Sequence, residues 1–260
     1  MSTTYLASVD GTIAPPQESR ISITDEGLLR GDGAFEVVRL YDGRPFALED
    51  HYTRLQRSLD GIRLEIDIVA LRREVDALLE EVGPADALLR LVVTRGGRRI
   101  AIVEPLPQTP ETAKVVTVTF SPGRILDGLK TLSYGANMLA GRVAKEQGAH
   151  EALFVTPHGR VLEGPTWTFF WVRDGKLLTP PLSDRILRSI TREKILEITD
   201  AQEQVTTLDD LPSAEEAFIA SSLREALPIA EIDGRPLPHA PGPVTESVQR
   251  AFAEHLAQTL

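Results

Sequence analysis

Apolar residues and turn dipeptides follow one another over the first hundred residues in a pattern that predicts hairpins and helices. Asp10-Gly11 and Asp42-Gly43 are typical of hairpin turns because these residue types tolerate positive φ angles. Apolar residues recur every three or four positions after Leu48 and again after Asp67, which is the spacing of helices with one buried face. The predicted strands are Tyr5–Val9, Ala34–Tyr41, Arg44–Ala47, Ala87–Thr94 and Ile100–Val103, and the predicted helices are Leu48–Gly61 and Asp67–Val82.

Prolines at positions 105, 107 and 110 interrupt the pattern. Each proline lacks a backbone donor and fixes its own φ, so the segment Glu104–Thr112 is predicted to be a linker. Strands that come in hairpins with helices interspersed favour an α+β fold over repeating βαβ units, here with domains 1–107 and 108–260. The second domain is predicted to contain strands Val115–Phe120, Ala152–Thr156, Val161–Leu162, Thr168–Val172 and Ala217–Ala220, and helices Tyr134–Gln147, Ser189–Ile198 and one from near Pro243.

Composition narrows the class of protein further. The 38 acidic residues outnumber the 28 lysines and arginines and give a formal net charge of −10, which argues against general nucleic-acid binding. The absence of cysteine excludes disulfides, thiolate nucleophiles and cysteine-based metal sites. The first ten residues lack the features of a signal peptide, and no apolar run approaches the ~20 residues of a membrane helix. We therefore expect a cytoplasmic protein with neither nucleic-acid nor membrane partners.

Common catalytic motifs of nucleotide-binding proteins, hydrolases and metalloproteases are absent, and the five histidines show no metal-ligand spacing, so we expect no metal site. Lysine is rare enough to be informative, since the chain has five. Lys130 stands apart from the others, between the glycine at position 128 and a predicted helix start, with apolar neighbours. Spacing alone leaves two interpretations open, a functional lysine or one whose stem is buried and whose amine reaches solvent.

Several segments form an ordered series of motifs from about residue 20 to residue 252. They are Asp25–Glu36, His51–Ser58, Leu129–Ala140, Gly148–Leu153, Val161–Gly164, Leu178–Pro181, Ile190–Arg192 and Pro243–Thr245. In this order they resemble class IV (fold type IV) pyridoxal-phosphate enzymes. That family includes branched-chain and D-amino-acid aminotransferases, (R)-amine transaminases and aminodeoxychorismate lyases. Each motif alone is weak, but the whole series is specific and covers nearly the entire chain.

The resemblance implies a small α+β domain, a larger pseudo-barrel domain, and pyridoxal 5′-phosphate between them. That cofactor needs an amine for a Schiff base, a carboxylate at its ring nitrogen and a cradle for its phosphate. The resemblance assigns these roles to Lys130, Glu163 and Arg54 respectively. The alternatives are a solvent-facing acid for Glu163 and an ion pair with Asp50 for Arg54.

Further cofactor contacts are implied by the same resemblance. Ile190 and Thr191 match a helix start whose amides meet the phosphate, where the helix dipole favours an anion. Ser222 and Leu223 match a second phosphate-contacting turn. Tyr134 matches the neighbour of the cofactor's phenolic oxygen, with a place in the core as the alternative.

The chain also departs from the family pattern. Ser133 replaces an asparagine, and Trp167 stands where a serine is usual, either narrowing the pocket or packing on the sheet. Arg30 replaces an aromatic residue and binds either a substrate carboxylate or one of Asp32 and Glu36. The resemblance places further substrate contacts at Phe35 and among four arginines near a turn, Arg90, Arg95, Arg98 and Arg99.

The resemblance implies a homodimer that moves an amino group between an amino acid or amine and a 2-oxo acid. The rival enzyme is aminodeoxychorismate lyase, which releases pyruvate and leaves 4-aminobenzoate. A non-catalytic vitamin-binding protein is the alternative from a different class. The presence of Lys130, Glu163 and Arg54 together disfavours it.

Overall fold

A computed structural model describes residues 5–121 and 123–260, which divide into two compact units. The first unit contains the described residues up to Pro107 together with Leu129–Tyr134 and Leu260. The second contains the described residues of 108–128 and Gly135–Thr259. The sequence-based division into 1–107 and 108–260 stays a prediction, and the segment Leu129–Tyr134 makes its contacts with the first unit.

The first unit is built on an antiparallel sheet, for which six strands lie within the described residues, in the order β2-β1-β6-β5-β3-β4. The long central pair aligns Gly33 with Thr94 and Leu40 with Ala87. The strands are β1 Ala7–Val9, β2 Thr12–Ala14, β3 Gly33–Tyr41, β4 Arg44–Pro45, β5 Ala87–Thr94 and β6 Arg99–Pro105.

Helices α2 (Leu48–Gly61) and α3 (Ile68–Val82) pack on this sheet, and the short helix α1 (Glu26–Arg30) precedes β3. Their apolar stripes are buried as the spacing predicts, with Leu55 on α2 and Leu71 on α3 at 0% exposure. Burying each such leucine contributes about 1.5–3 kcal/mol. The stripes therefore anchor both helices on the sheet. Helix α2 also carries the buried polar residues His51, Arg54 and Ser58.

The second unit contains a mixed sheet with the strand order β11-β10-β9-β12-β13-β7-β8, and β14 pairs with β13. The pairs β13–β7, β7–β8 and β10–β11 are parallel and the others are antiparallel. Three helices pack on its strands, and they are α4 Gly135–Glu146, α5 Ile190–Ile198 and α6 Pro243–Thr259. The strands are β7 Ala113–Thr119, β8 Glu151–Val155, β9 Thr168–Arg173, β10 Lys176–Thr179, β11 Gln202–Glu203, β12 Glu216–Ser221, β13 Glu225–Ile232 and β14 Arg235–Pro236.

Strand β9 carries aromatic side chains on both of its faces because successive residues point in opposite directions. Phe169 and Trp171 belong to one buried cluster with residues of β12 and β13. Phe170 points the other way and stacks on Phe218, with 4.9 Å between ring centroids. A strand buried on both faces has a continuous apolar sequence, which is why the segment lacks polar alternation.

Two predicted elements need correction. Glu104 and Pro105 belong to β6 rather than to a linker, because they pair with Leu88 and Ala87 of β5. Strand β1 pairs with β6 only as far as Ile102, so β1 does not need the N–H that the proline lacks. Val161–Leu162 is not a strand, since an isolated bridge joins Val161 to Val155. None of the described helices is long and apolar enough to span a membrane.

Candidate active site

Lys130 is positioned by backbone pairing with strand β3. The Phe35 N–H donates to the Lys130 carbonyl at 3.1 Å, and the Leu132 N–H donates to the Gly33 carbonyl at 2.9 Å. The Lys130 N–H donates to the Ser58 hydroxyl of α2 at 3.0 Å. These bonds fix the backbone on both sides of the lysine side chain, so the amine has a defined place within the first unit.

Aromatic rings flank the Lys130 amine. The Nζ atom lies 4.3 Å from the ring centroid of Phe35 and 5.5 Å from that of Tyr134. The two rings meet edge to face with centroids 5.0 Å apart. Lys130 is 9% exposed, so it is not a lysine that reaches out to solvent. The two rings restrain the lysine stem and keep the amine partly desolvated.

Arg54 lies one helical turn before Ser58 on α2 and pairs with the buried carboxylate of Glu36. Its Nε donates to Glu36 Oε1 at 2.8 Å and its Nη2 donates to Oε2 at 2.6 Å. His51 Nδ1 lies 2.8 Å from the same Oε2. This forked pairing fixes the plane of the guanidinium. Arg54 is therefore held by Glu36 of β3, a carboxylate that sequence analysis did not assign to it.

The Glu36 carboxylate is fully buried, yet it stays ionised. Burial works to raise its pKa, but the charge and hydrogen bonds of Arg54 and His51 outweigh burial and lower the pKa to about 2. Burial lowers the pKa of His51, against the opposing effect of Glu36. A neutral His51 donates from Nδ1 to Glu36, and its Nε2 is a buried acceptor with no hydrogen-bond partner among the described residues.

The motifs give no role to His51 or Ser58, and Glu36 is expected there only as an alternative partner of Arg30, although all three residues stand within the motifs. Two features of the sequence indicate these residues. His51, Arg54 and Ser58 are spaced three and four residues apart, so they share one helix face. Glu36 is flanked by apolar residues, Phe35 and Val37, in a predicted strand, and a buried carboxylate there requires charged or hydrogen-bonding partners. Together the two patterns indicate a polar contact between α2 and β3.

The arginines proposed for substrate binding all have carboxylate partners. Arg30 is 74% exposed in its side chain and pairs with Glu26 of its own helix at 2.6 Å, so the alternative of a pair with Asp32 or Glu36 is wrong. Asp32 pairs with Arg95, which also donates to the carbonyls of residues 62 and 63. The remaining pairs are Arg90 with Glu104 at 2.6 Å, Arg98 with Asp10 at 2.5 Å and Arg99 with Glu74 at 2.7 Å.

The second unit contains Glu163, in the loop between β8 and β9. Its Oε1 accepts a hydrogen bond from the Leu187 N–H at 2.9 Å, and its carbonyl accepts one from the Phe154 N–H at 2.8 Å. These bonds hold both the backbone and the carboxylate, so Glu163 is not a freely solvated acid. A carboxylate with a fixed direction suits a role toward a protonated ring nitrogen.

Helix α5 presents its N-terminus at Ile190 and Thr191, which are buried. Ser189 caps the helix and its hydroxyl accepts from the Arg192 N–H at 3.3 Å. The first amides of a helix have no partners within it, and they attract anions together with the helix dipole. Ser222 and Leu223 lie in the hairpin turn between β12 and β13, where Ser221 is paired with Glu225.

Comparison with known proteins shows which family the chain resembles. The family model for class IV amino-transferases matches residues 33–232. A D-alanine aminotransferase of Bacillus licheniformis is 30% identical, covering 94% of each chain. A bifunctional aminodeoxychorismate lyase / D-amino acid transaminase of Mycobacterium tuberculosis is 32% identical, covering 96% of each. A solved hypothetical aminotransferase from M. tuberculosis in its PLP-bound form has a TM-score of 0.87 and 28% identity, covering 96% of this chain and 97% of that one.

The chain belongs to the class IV aminotransferase family, has the α+β fold of fold type IV transaminases, and is a pyridoxal-phosphate-dependent enzyme. The groups that this cofactor needs are present in the chain. A buried primary amine lies in the first unit, and an oriented carboxylate and a capped helix N-terminus lie in the second. Within the described ranges 5–121 and 123–260, no group of three or more metal-ligating side chains is found.

The Glu36 pairing predicts a pH-dependent contribution to stability. The unfolded chain takes up a proton near pH 4.5, whereas the folded chain does so only near pH 2. The contribution is therefore complete above pH 4.5 and is lost as the pH falls toward 2. Glu36→Gln should lower the free energy of unfolding by about 3–5 kcal/mol at pH 7, because it leaves Arg54 buried beside a neutral amide.

Urea unfolding of wild type and variant at pH 7 and pH 3 measures this difference, which should shrink at the lower pH. Glu49→Gln is the matched control, since Glu49 pairs with Arg72 at the surface and should change stability by less than about 1 kcal/mol. An equal effect of the two substitutions would contradict the assigned role of the buried pair.

Proposed function

We propose that the enzyme transfers the amino group of an amino acid to a 2-oxo acid, with Lys130 as the residue that carries the cofactor. The observation that supports this most is the geometry of Lys130. It is the buried lysine that pairing with β3 holds beside Phe35 and Tyr134. A restrained, partly desolvated amine is suited to attack a carbonyl and then to exchange protons.

Different residues of the chain have different roles toward the cofactor. Pyridoxal phosphate supplies, when bound, an aldehyde that receives the amino group and a ring that accepts electrons. Lys130 moves the proton between the substrate Cα and the cofactor C4′. Glu163 holds the proton on the ring nitrogen. Tyr134 contacts the phenolic oxygen. The phosphate is bound by Arg54, by the N-terminus of α5 (Ile190 and Thr191) and by the turn at Ser222 and Leu223.

Substrate contacts are proposed for Phe35, whose ring lies beside Lys130, and for five arginines within the first unit's central strands or next to them. Each of these arginines already has a carboxylate partner, so a substrate carboxylate would have to compete with that partner. The candidates remain Arg30, Arg90, Arg95, Arg98 and Arg99.

The lyase reaction is the second candidate, because the relative that is 32% identical is named for both activities. The two functions need the same amine and the same carboxylate, so substitution of these residues cannot separate them. A comparison of substrates can. Purified enzyme is supplied with D- or L-amino acids plus a 2-oxo acid, and separately with aminodeoxychorismate. Transfer of the amino group supports the proposal, and release of pyruvate without any transfer favours the lyase.

Lys130→Met keeps most of the side-chain volume and removes the amine. We expect the visible absorbance of the bound cofactor to disappear and turnover to fall roughly 10²- to 10⁴-fold. Lys145→Met is the control, since Lys145 is an exposed lysine at the end of α4. A Lys130→Met protein that retains both absorbance and turnover would refute the assignment.

Glu163→Gln keeps an oxygen acceptor for the Leu187 N–H and removes the negative charge. Cofactor should remain bound, and turnover should fall at least ~10²-fold, about 2.7 kcal/mol of barrier. Glu197→Gln, on the exposed side of α5 in a pair with Lys194, serves as the control. Turnover near that of wild type in Glu163→Gln would show that Glu163 does not act on the ring nitrogen.

We also propose that the enzyme is a homodimer, as the family resemblance implies, and that it works in the cytoplasm. In the first unit, Leu28 and Leu29 of α1 are 59% and 60% exposed, and Ile23 nearby is 80% exposed. Adjacent large apolar side chains at the surface are typical of contacts between proteins. In the second unit, Met138 and Leu139 of α4 are also exposed.

Light scattering after size-exclusion chromatography should give the mass of two chains for wild type. Leu29→Glu should shift the mass toward one chain, because a charge buried in an apolar contact is unfavourable. Val205→Glu, at an exposed valine outside these patches, should leave the mass unchanged. A single-chain mass for wild type would contradict the dimer.

A further inference from the structure

Trp167, the bulky departure from the family pattern, packs into the second unit rather than standing at a surface. It is 3% exposed and joins the cluster of β9, β12 and β13. Its carbonyl accepts from the Gly164 N–H at 2.8 Å, and the indole lies directly against Gly164. A Cβ on Gly164 would come within 1.9 Å of the Trp167 ring, so only glycine fits beneath it. The indole therefore fixes the backbone next to Glu163.

The indole is itself held by Glu151, the first residue of β8. Trp167 Nε1 donates to Glu151 Oε2 at 3.1 Å. The other carboxylate oxygen, Oε1, accepts from Nη2 of Arg224. Both residues of the Glu151–Arg224 pair are largely buried. One carboxylate thus joins a tryptophan beside Glu163 to an arginine that comes from another part of the chain.

Arg224 belongs to the turn that contains Ser222 and Leu223. Its backbone N–H donates to the Ser221 carbonyl at 3.2 Å, and Glu225 has a positive φ of 53°, so the turn is tight. Its Nη1 is shielded from solvent and has no hydrogen-bond partner among the residues that the structure describes. The side chain of Arg224 therefore ties the turn to β8, in addition to the strand pairing that closes the hairpin.

We propose that Trp167, Glu151 and Arg224 form a brace that positions two cofactor-binding segments of the second unit against each other. These segments are the backbone at Glu163 and the turn at Ser222 and Leu223. The inference rests on the proposed function, which assigns the ring nitrogen to the first segment and the phosphate to the second. All three are positioning residues, since each acts through the segment that it holds.

The brace has a chemical signature that a merely structural contact lacks. Because Arg224 holds the turn proposed for the phosphate, its loss should weaken binding of the phosphorylated cofactor more than binding of pyridoxal, which has no phosphate. Loss of a contact that only supports the fold lowers thermal stability without distinguishing the two ligands. The ratio of the two affinities is therefore the decisive quantity.

The experiment titrates pyridoxal phosphate and pyridoxal into cofactor-free protein and follows the absorbance of the bound ligand. Arg224→Met should weaken pyridoxal phosphate at least about tenfold, as expected when the displaced turn loses a hydrogen bond to the charged phosphate, and should leave pyridoxal within about twofold. Arg224→Lys should restore part of the affinity because it keeps a charge opposite Glu151. Arg173→Met is the matched control, since Arg173 also pairs with a carboxylate, that of Asp210, and lies over a tryptophan ring.

Trp167→Phe removes the indole N–H and keeps an aromatic ring, so it tests the brace if Arg224→Met proves unstable. Its effect on pyridoxal phosphate affinity should not add to that of Arg224→Lys, because both act through Glu151. Unchanged affinity in Arg224→Met, or equal weakening of both ligands, overturns the brace. Wild-type protein that binds no pyridoxal phosphate would instead refute the proposed function.

Discussion

The backbone pairing between Leu129–Tyr134 and strand β3 is the constraint on which the candidate site depends. The residues on either side of this segment belong to the second unit, yet the segment itself joins the first. A short extended segment gains its hydrogen bonds only from a partner strand, and β3 offers Gly33 and Phe35 for that purpose. This one pairing sets Lys130 beside aromatic rings and connects it to α2 through Ser58.

Charge is used differently inside the first unit and on its surface. Glu36, Arg54 and His51 form a buried group in which each hydrogen bond compensates for lost hydration. Removing Glu36 takes from Arg54 and His51 the buried partner that both of them share, so Glu36 holds the group together. The pairs of Arg30 and Arg95 lie at the surface, where screening makes such contacts weak. The buried group therefore fixes the direction of the Arg54 guanidinium, whereas the surface pairs hold their arginines less firmly.

Local patterns in the sequence predict most of the regular structure but not the contacts that build the site. The stripes of α2 and α3 and the strands from Ala87 to Val103 follow directly from periodicity. Strand β13 was not predicted, because Pro228 and the charged residues around it hide its apolar face. The pairing of Lys130 with Phe35 joins residues 95 positions apart, and no local rule can show it.

Roles at the site were inferred from family resemblance, and their partners came from the structure. Arg54 was expected to pair with Asp50 if it did not bind phosphate, but its carboxylate partner Glu36 lies on a different element. Trp167 packs in the cluster of β9, β12 and β13, as one of its two interpretations expects, and residues of β12 and β13 lie far from it in sequence. In each case the deciding contact connects distant segments, and it depends on tertiary packing rather than on propensity.

The most direct test of the account is to locate the cofactor on the chain. Purified holoenzyme is reduced with borohydride, digested and analysed by mass spectrometry for a peptide that carries the pyridoxyl phosphate mass. The chain offers five lysines, so the result is unambiguous. We expect the modification on Lys130. Modification of another lysine, or none in protein that has bound the cofactor, would contradict it.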